Sequence, residues 1–369
     1  MDENDRVFRI SGIPAELPQA ALGSVLDAVF AAESGSGIKT TVRSLGPHPQ
    51  RGTHMVATVT FSSVPQKLSK GASWQLSETV EHNNQSIRLD LEIDVGFLGF
   101  TPTNTPIGDE SDRIDCIAVS GLSSHPFGSW KKRGGRFMWL VDDDAAVPSN
   151  VRMLLYGYDT SLVASQSFQN VTDIGKSLAA AVQGIRPSAE GAFEPRPIVF
   201  IAHSLGGLVV KEAICHMVKT DPRVARCVYG LIFFGVPHNG LLVDPWLRIV
   251  ENRPNEQLIT ALKPHSQYLQ RLAQEFGQAF ALGKSRVISI YETMTNLPKF
   301  NGKFDPDYLV LRPYLQKIWA NAVADIQLRF ETAPSQAEAE TAEAFRGLVQ
   351  LWPAEEAGRS SGELRTEFE

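Results

Sequence analysis

The sequence predicts an α/β protein: a doubly wound, mainly parallel sheet, preceded by a small α+β unit. Three observations carry this. Short apolar, β-branched runs recur along residues 112–330, each ending in small or polar residues. Segments of helical spacing stand between them, and strands that alternate with helices build parallel sheets whose working residues gather beyond the strands' C-terminal ends. Finally, the run Pro197–Ala202 stops at His203-Ser204-Leu205-Gly206-Gly207 and passes at once into the helix-compatible segment Leu208–Ile214.

Residues 1–98 read as the α+β unit, in the ferredoxin-like order β-α-β-β-α-β. Arg6–Ile10 alternates as a strand, Pro18–Glu33 carries Leu22, Val25, Leu26, Val29 and Phe30 at helical spacing, and Ile38–Leu45 resumes strand character. Met55–Phe61 is strongly β-branched, Pro65–Gly71 is a short helix candidate, and Ile87–Asp94 alternates cleanly. An RNA-recognition fold shares this order but needs aromatics on its central strand for base stacking. Here that strand offers Val, Ala and Thr with a single Phe61, which favours a structural or partner-binding role. Residues 99–111, rich in Pro, Gly and Thr, read as a linker.

Residues 112–330 hold the parallel sheet. Asp115–Leu122 is an apolar strand that runs into the small-residue loop Ser123–Trp130, which contains His125. Val151–Tyr158 is the next strand and ends at Asp159-Thr160; a helix follows from Val171 to Val182, then the run at Ser204 and its helix. Val228–Gly235 ends in Val236-Pro237-His238, helices span Glu256–Leu262 and Ser266–Phe280, and Arg286–Tyr291 delivers Glu292. Residues 331–369 are Ala- and Glu-rich and expected to be partly disordered, although Phe345, Leu348, Val349 and Trp352 would share one face of a helix.

Of the 369 residues 43% are hydrophobic, enough to bury cores in two units. A net charge of -6 argues against nucleic acid as the main partner. Cys116, Cys215 and Cys227 lack metal-ligand spacing and read as reduced thiols of an intracellular protein, so neither metal nor cofactor is expected. The acidic start, Met1–Asp5, resembles neither a secretory signal nor a transit peptide, and no apolar run is long enough to span a bilayer. A soluble or peripherally attached protein is the expectation. The basic run Lys131–Arg136 is short for a lipid-binding cluster and reads as a solvated loop.

The chemistry concentrates at Ser204. A strand that turns sharply into a helix leaves room only for small residues two before and two after the Ser, and Ala202 and Gly206 meet that demand. The Ser would stand at a helix N-terminus, where amides favour a developing oxyanion. No phosphate-loop ending of Gly-Lys-Ser/Thr type occurs in the chain, which separates this turn from nucleotide-binding loops.

Four ordered blocks carry a family resemblance: Val119–Trp130, Leu155–Thr160, His203–Lys211 and Phe233–His238. They resemble the lipase-like α/β-hydrolases, in the group that holds serine-active-site-containing proteins, GPI inositol-deacylases and the hydrolase domains of fungal NTPases. The resemblance implies a serine esterase, lipase or acyl-processing enzyme acting on a small-molecule or lipid ester, with cytoplasmic or peripheral endoplasmic-reticulum or mitochondrial membrane placement. It implies Ser204 as nucleophile and the Leu122 and Leu205 amides as oxyanion donors, with Ala202, His203 and Gly206 shaping the elbow and His125 lining the pocket. Glu292 takes the place of the acid, and Asp159 is the alternative. The family usually has His-Gly where this chain has Ser120-Gly121, and its base is a late His on a loop after the last strand. No His follows His265 here, so the last strand and its loop are expected to be missing. His238 is the remaining candidate base, or else a turn or wall of the pocket. Two readings result: an acyl-ester hydrolase, or an impaired hydrolase fold kept for binding, with a protein partner on residues 1–98 or the tail.

Overall fold

The computed structural model describes residues 6–31, 37–82, 85–159, 161–162, 167–186, 193–280, 285–290, 298–332 and 366–368. The N-terminal unit runs β1 (Phe8–Pro14), α1 (Gln19–Ala31), β2 (Thr40–Pro47), β3 (His54–Phe61), β4 (Ser73–His82) and β5 (Gln85–Asp94). Its sheet is antiparallel, in the order β2-β3-β1-β5-β4. Without β4, this is the ferredoxin-like arrangement. The expected second helix is reduced to one 3-10 turn at Gln66–Leu68, and the chain spends the following residues on β4, an edge strand.

Strand alternation gives this sheet two different faces. Phe8, Ile10, Val59, Phe61, Leu89, Leu91 and Ile93 pack with Leu22, Val25, Leu26, Val29 and Phe30 of α1. The other face is polar yet covered: Thr58 and Ser44 are buried, with their hydroxyls 2.6 Å apart. It rests on the chain that follows, where Arg9 donates to the Leu98 carbonyl (2.9 Å) and the Thr101 hydroxyl (3.1 Å). An RNA-recognition fold stacks bases on that sheet face, and here protein occupies it.

The segment expected as a linker is partly a strand. Gly99–Pro102 forms β6 and pairs antiparallel with β8. Its Pro and Gly residues masked the strand signal, and an edge strand is where a sheet admits proline. The remaining elements are β7 (Ile114–Val119), α2 (Trp139–Asp142), β8 (Val151–Gly157), α3 (Val171–Gly184), β9 (Ile198–His203), α4 (Leu205–Thr220), α5 (Pro222–Arg226), β10 (Val228–Phe234), α6 (Asp244–Val250), α7 (Glu256–Ala261), α8 (Gln267–Ala279), β11 (Arg286–Ile290), α9 (Pro306–Glu331) and β12 (Thr366–Phe368).

The large sheet has the order β12-β11-β10-β9-β7-β8-β6. Strands β8, β7, β9, β10 and β11 are parallel, and β6 and β12 close the two edges antiparallel. Alternate residues of β9 enter two cores. Ile198, Phe200 and Ala202 face α3 and α4, while Val199 and Ile201 face Trp130, Trp139 and α9. Apolar burial on both faces explains the unbroken hydrophobic runs that made these strands legible. In the tail, residues 366–368 pair with β11, and Phe345, Leu348, Val349 and Trp352 lie outside the described residues.

Candidate functional site

Strand β9 ends at His203, α4 begins at Leu205, and Ser204 alone makes the turn, with φ 52° and ψ -126°. A non-glycine residue there is strained by about 1–3 kcal/mol and persists only where its surroundings over-determine it. They do so here. The Ser204 amide donates to the Phe234 carbonyl of β10 (2.9 Å), and its own carbonyl accepts from the Gly207 amide (3.0 Å). A Cβ on Gly206 would stand 2.5 Å from the Val119 carbonyl oxygen and 2.6 Å from that of Ser120, so only glycine lets α4 start this close to β7. Among the described residues the Ser204 hydroxyl has no hydrogen-bond partner.

The loop after β7 comes down on the same spot. A Cβ on Gly121 would stand 2.8 Å from Cβ of Ser204, which places the backbone of the next residue, Leu122, beside the turn. The Leu122 amide and the first helical amide, that of Leu205, donate to no acceptor among the described residues. Tyr158 fixes the loop's start by donating to the Ser120 carbonyl (2.8 Å). Ser120, which stands where the resembling family has His, is fully buried, and its hydroxyl has no partner among the described residues. Gly121 and Tyr158 escaped the sequence reading. Their signals were a glycine immediately past a strand and an aromatic at the end of its neighbour.

The other expected site residues scatter. The His238 ring packs edge-on against Phe233 at 5.1 Å, and the Lys211 ammonium lies 5.9 Å from the centroid of the Phe233 ring. Phe233 belongs to the core under α4, and Lys211 is two turns along that helix from Ser204, about 10 Å at 1.5 Å per residue. Burial, with the Lys211 charge adding to it, pushes the His238 imidazole well below its ordinary value, and among the described residues its Nδ1 is buried without a partner. His203 lies under the Gly121 backbone, and burial together with the Lys299 charge lowers it to about 4. The Asp159 carboxylate accepts from the Ser161 amide (3.0 Å), the capping role open to an Asp after a strand. Glu292 lies outside the described residues.

His125, expected to line the pocket, holds backbone groups with both ring nitrogens. Its Nδ1 accepts from the Phe127 and Gly128 amides (3.1 and 3.2 Å), and its Nε2 donates to the Val95 carbonyl (3.0 Å) of the N-terminal unit. Ser204, Leu122 and Leu205 are thus brought together, while Asp159 and His125 hold backbone groups and the His238 ring packs on Phe233. Among the described residues there is no His, Cys, Asp and Glu group suited to a metal.

Residues 143–250, which include the Ser204 turn and His238, match the family model described as "Putative serine esterase (DUF676)". Strand order, the turn at Ser204 and this match agree. The chain has the α/β-hydrolase fold. In sequence this chain is similar to Protein SERAC1 of Danio rerio, 29% identical over 201 residues, which is 53% of this chain and 29% of the relative. Protein SERAC1 of Homo sapiens is 27% identical over 151 residues, 35% of this chain and 22% of the relative. The chain therefore spans less than a third of the length of these curated relatives. In structure the chain is similar to lipase BlEst2 of Bacillus licheniformis, with a TM-score of 0.38 and 14% identity over 59% of this chain and 80% of that one. Strand order and the turn, not that superposition, define the fold.

Proposed function

We propose that this α/β-hydrolase attacks carboxyl or lipid acyl esters through Ser204. The observation that carries the reading is the backbone of Ser204 itself. A strained φ of 52° at a strand-to-helix turn holds the hydroxyl out of every protein hydrogen bond described and aims it beside two unpaired amides. In the proposed step the Ser204 oxygen bonds to the ester carbonyl carbon, and the carbonyl oxygen gains the charge, which the Leu122 and Leu205 amides receive. The hydroxyl proton passes to a base. Collapse of the adduct breaks the bond to the alcohol, which leaves with a proton, and water then releases the acid.

The base is what the geometry supports least, because the His238 ring packs edge-on against Phe233 and, among the described residues, makes no hydrogen bond to Ser204. That placement favours a second reading, in which the elbow binds or traps an acyl group and turns over slowly or not at all. Loss of the base alone costs several orders of magnitude while leaving oxyanion stabilisation in place. The three cysteines are buried and free, which supports a reducing, intracellular setting. Among the described residues no helix is long and apolar enough to cross a membrane, so any association with endoplasmic-reticulum or mitochondrial membranes would be peripheral in that portion.

A fluorophosphonate probe separates these readings. Stoichiometric labelling that disappears in Ser204→Ala, together with steady-state hydrolysis of p-nitrophenyl esters, is expected of an enzyme. Labelling without turnover points to the impaired fold, and a folded sample that does not label refutes Ser204 as nucleophile.

A further inference from the structure

The loop that presents the Leu122 amide is held at both ends. At its start Gly121 lies on Ser204, and Tyr158 holds the Ser120 carbonyl. Its far end is held by His125, whose ring is used on both nitrogens. Because Nδ1 accepts two amides, the ring proton sits on Nε2 and points at the Val95 carbonyl. Burial keeps this imidazole below its ordinary pKa and so neutral, which an accepting Nδ1 requires.

The partner groups on the N-terminal unit are themselves over-determined. The Phe97 ring stands edge-on to His125 at 4.7 Å, and Phe97 is fully buried with φ 53°. Its amide donates to the Asp94 carboxylate (2.6 Å), which is paired with Arg9 of β1 (2.7 Å). Arg9 in turn holds the Leu98 carbonyl, and its guanidinium lies 5.6 Å from the Phe97 ring centroid. A continuous set of contacts thus runs from Arg9 through Asp94 and Phe97 to His125 and the loop.

We infer that His125 is a positioning residue for the oxyanion loop, and that the N-terminal unit completes this loop by holding His125 through Val95 and Phe97. The inference rests on the reading of Ser204 and Leu122 given above. The unit then contributes to the geometry of the site without touching substrate, and the Leu122 amide keeps its place only while the two units are joined.

His125→Asn separates this role from an ordinary local cap. An Asn oxygen can still accept the amides two and three residues ahead, but the side chain is too short to reach Val95. Arg9→Ala loosens the contact set from outside the loop. The full chain and its variants would be followed by the rate of fluorophosphonate labelling and by hydrogen exchange across residues 121–130. In His125→Asn labelling is expected to slow about tenfold, the scale of one lost hydrogen bond, with loss of exchange protection over the loop and a smaller change of the same sign in Arg9→Ala. With an ester that turns over, kcat falls and KM stays near its parental value. A His125→Asn variant that labels and exchanges like the parent overturns the inference. If the parent itself does not label, the nucleophile reading has failed, and exchange alone decides: lost protection in His125→Asn sustains the brace, and unchanged protection removes it.

Discussion

Ser204 and His238 follow neighbouring parallel strands, β9 ending at His203 and β10 at Phe234, and both are half-buried, yet they keep different company. At Ser204 every neighbour serves to keep a side chain out: a glycine two residues on, a glycine across the loop, and a positive φ that lifts the hydroxyl clear of the sheet. At His238 the ring packs edge-on against Phe233, over whose ring the Lys211 ammonium also lies. Both lie where a parallel sheet gathers its working residues. The difference teaches that this position alone does not fix a side chain's partners, and that the turn following each strand does.

The largest expected effect attacks the first half of the contrast. Gly206→Val would drive side-chain atoms onto the Val119 and Ser120 carbonyls and should cost about 3 kcal/mol in denaturant unfolding. Labelling should fall by more than tenfold as the elbow shifts. Parental labelling would mean that the turn tolerates relaxation and that its strain is incidental.

Acidification should come next in size. His203 and His238 both have folded-state values below the ordinary 6.5, so the unfolded chain takes up protons first as pH drops. Stability is therefore fully present above about pH 6.5 and is lost as pH falls towards about 4 for His203, by up to about 3 kcal/mol. His203→Gln should flatten that slope in urea titrations at successive pH values. An unchanged slope would place the titration elsewhere.

His238→Ala attacks the second half. If the ring is packing, the variant loses about 2 kcal/mol of stability while labelling stays within about twofold. A fall of about a thousandfold or more would place the imidazole at the hydroxyl and erase the contrast. The smallest effect is also the most selective. Lys211→Met removes a charge that depresses His238, so the imidazole should titrate higher by NMR, with stability changed by less than about 1 kcal/mol. No movement of that titration would separate the two groups.

Legibility in the sequence followed how many constraints each residue answered. Strands β7, β9 and β10 are apolar on both faces, so hydropathy alone exposed them, and the elbow announced itself because strain permits so few residue types. Strand β4 stayed hidden because Glu78 interrupts the alternation carried by Trp74, Leu76 and Val80. His125 was legible as a residue of the oxyanion loop but not in its partner, since Val95 lies in a different unit and acts through its backbone carbonyl. Side chains that answer to a backbone atom far along the chain leave no pattern in sequence spacing.

Strand β6 has a consequence for how this chain can be divided. The residues that leave the N-terminal unit hydrogen-bond directly to β8 and close one edge of the large sheet. A cut made anywhere in this stretch yields no pair of self-contained pieces: one side keeps a polar sheet face stripped of its cover, and the other loses an edge strand or gains an untethered one. The first hundred or so residues are therefore not an exchangeable attachment. Recombination, proteolysis or expression of the hydrolase portion by itself would have to carry β6 along, and with it the carbonyls and ring that hold His125.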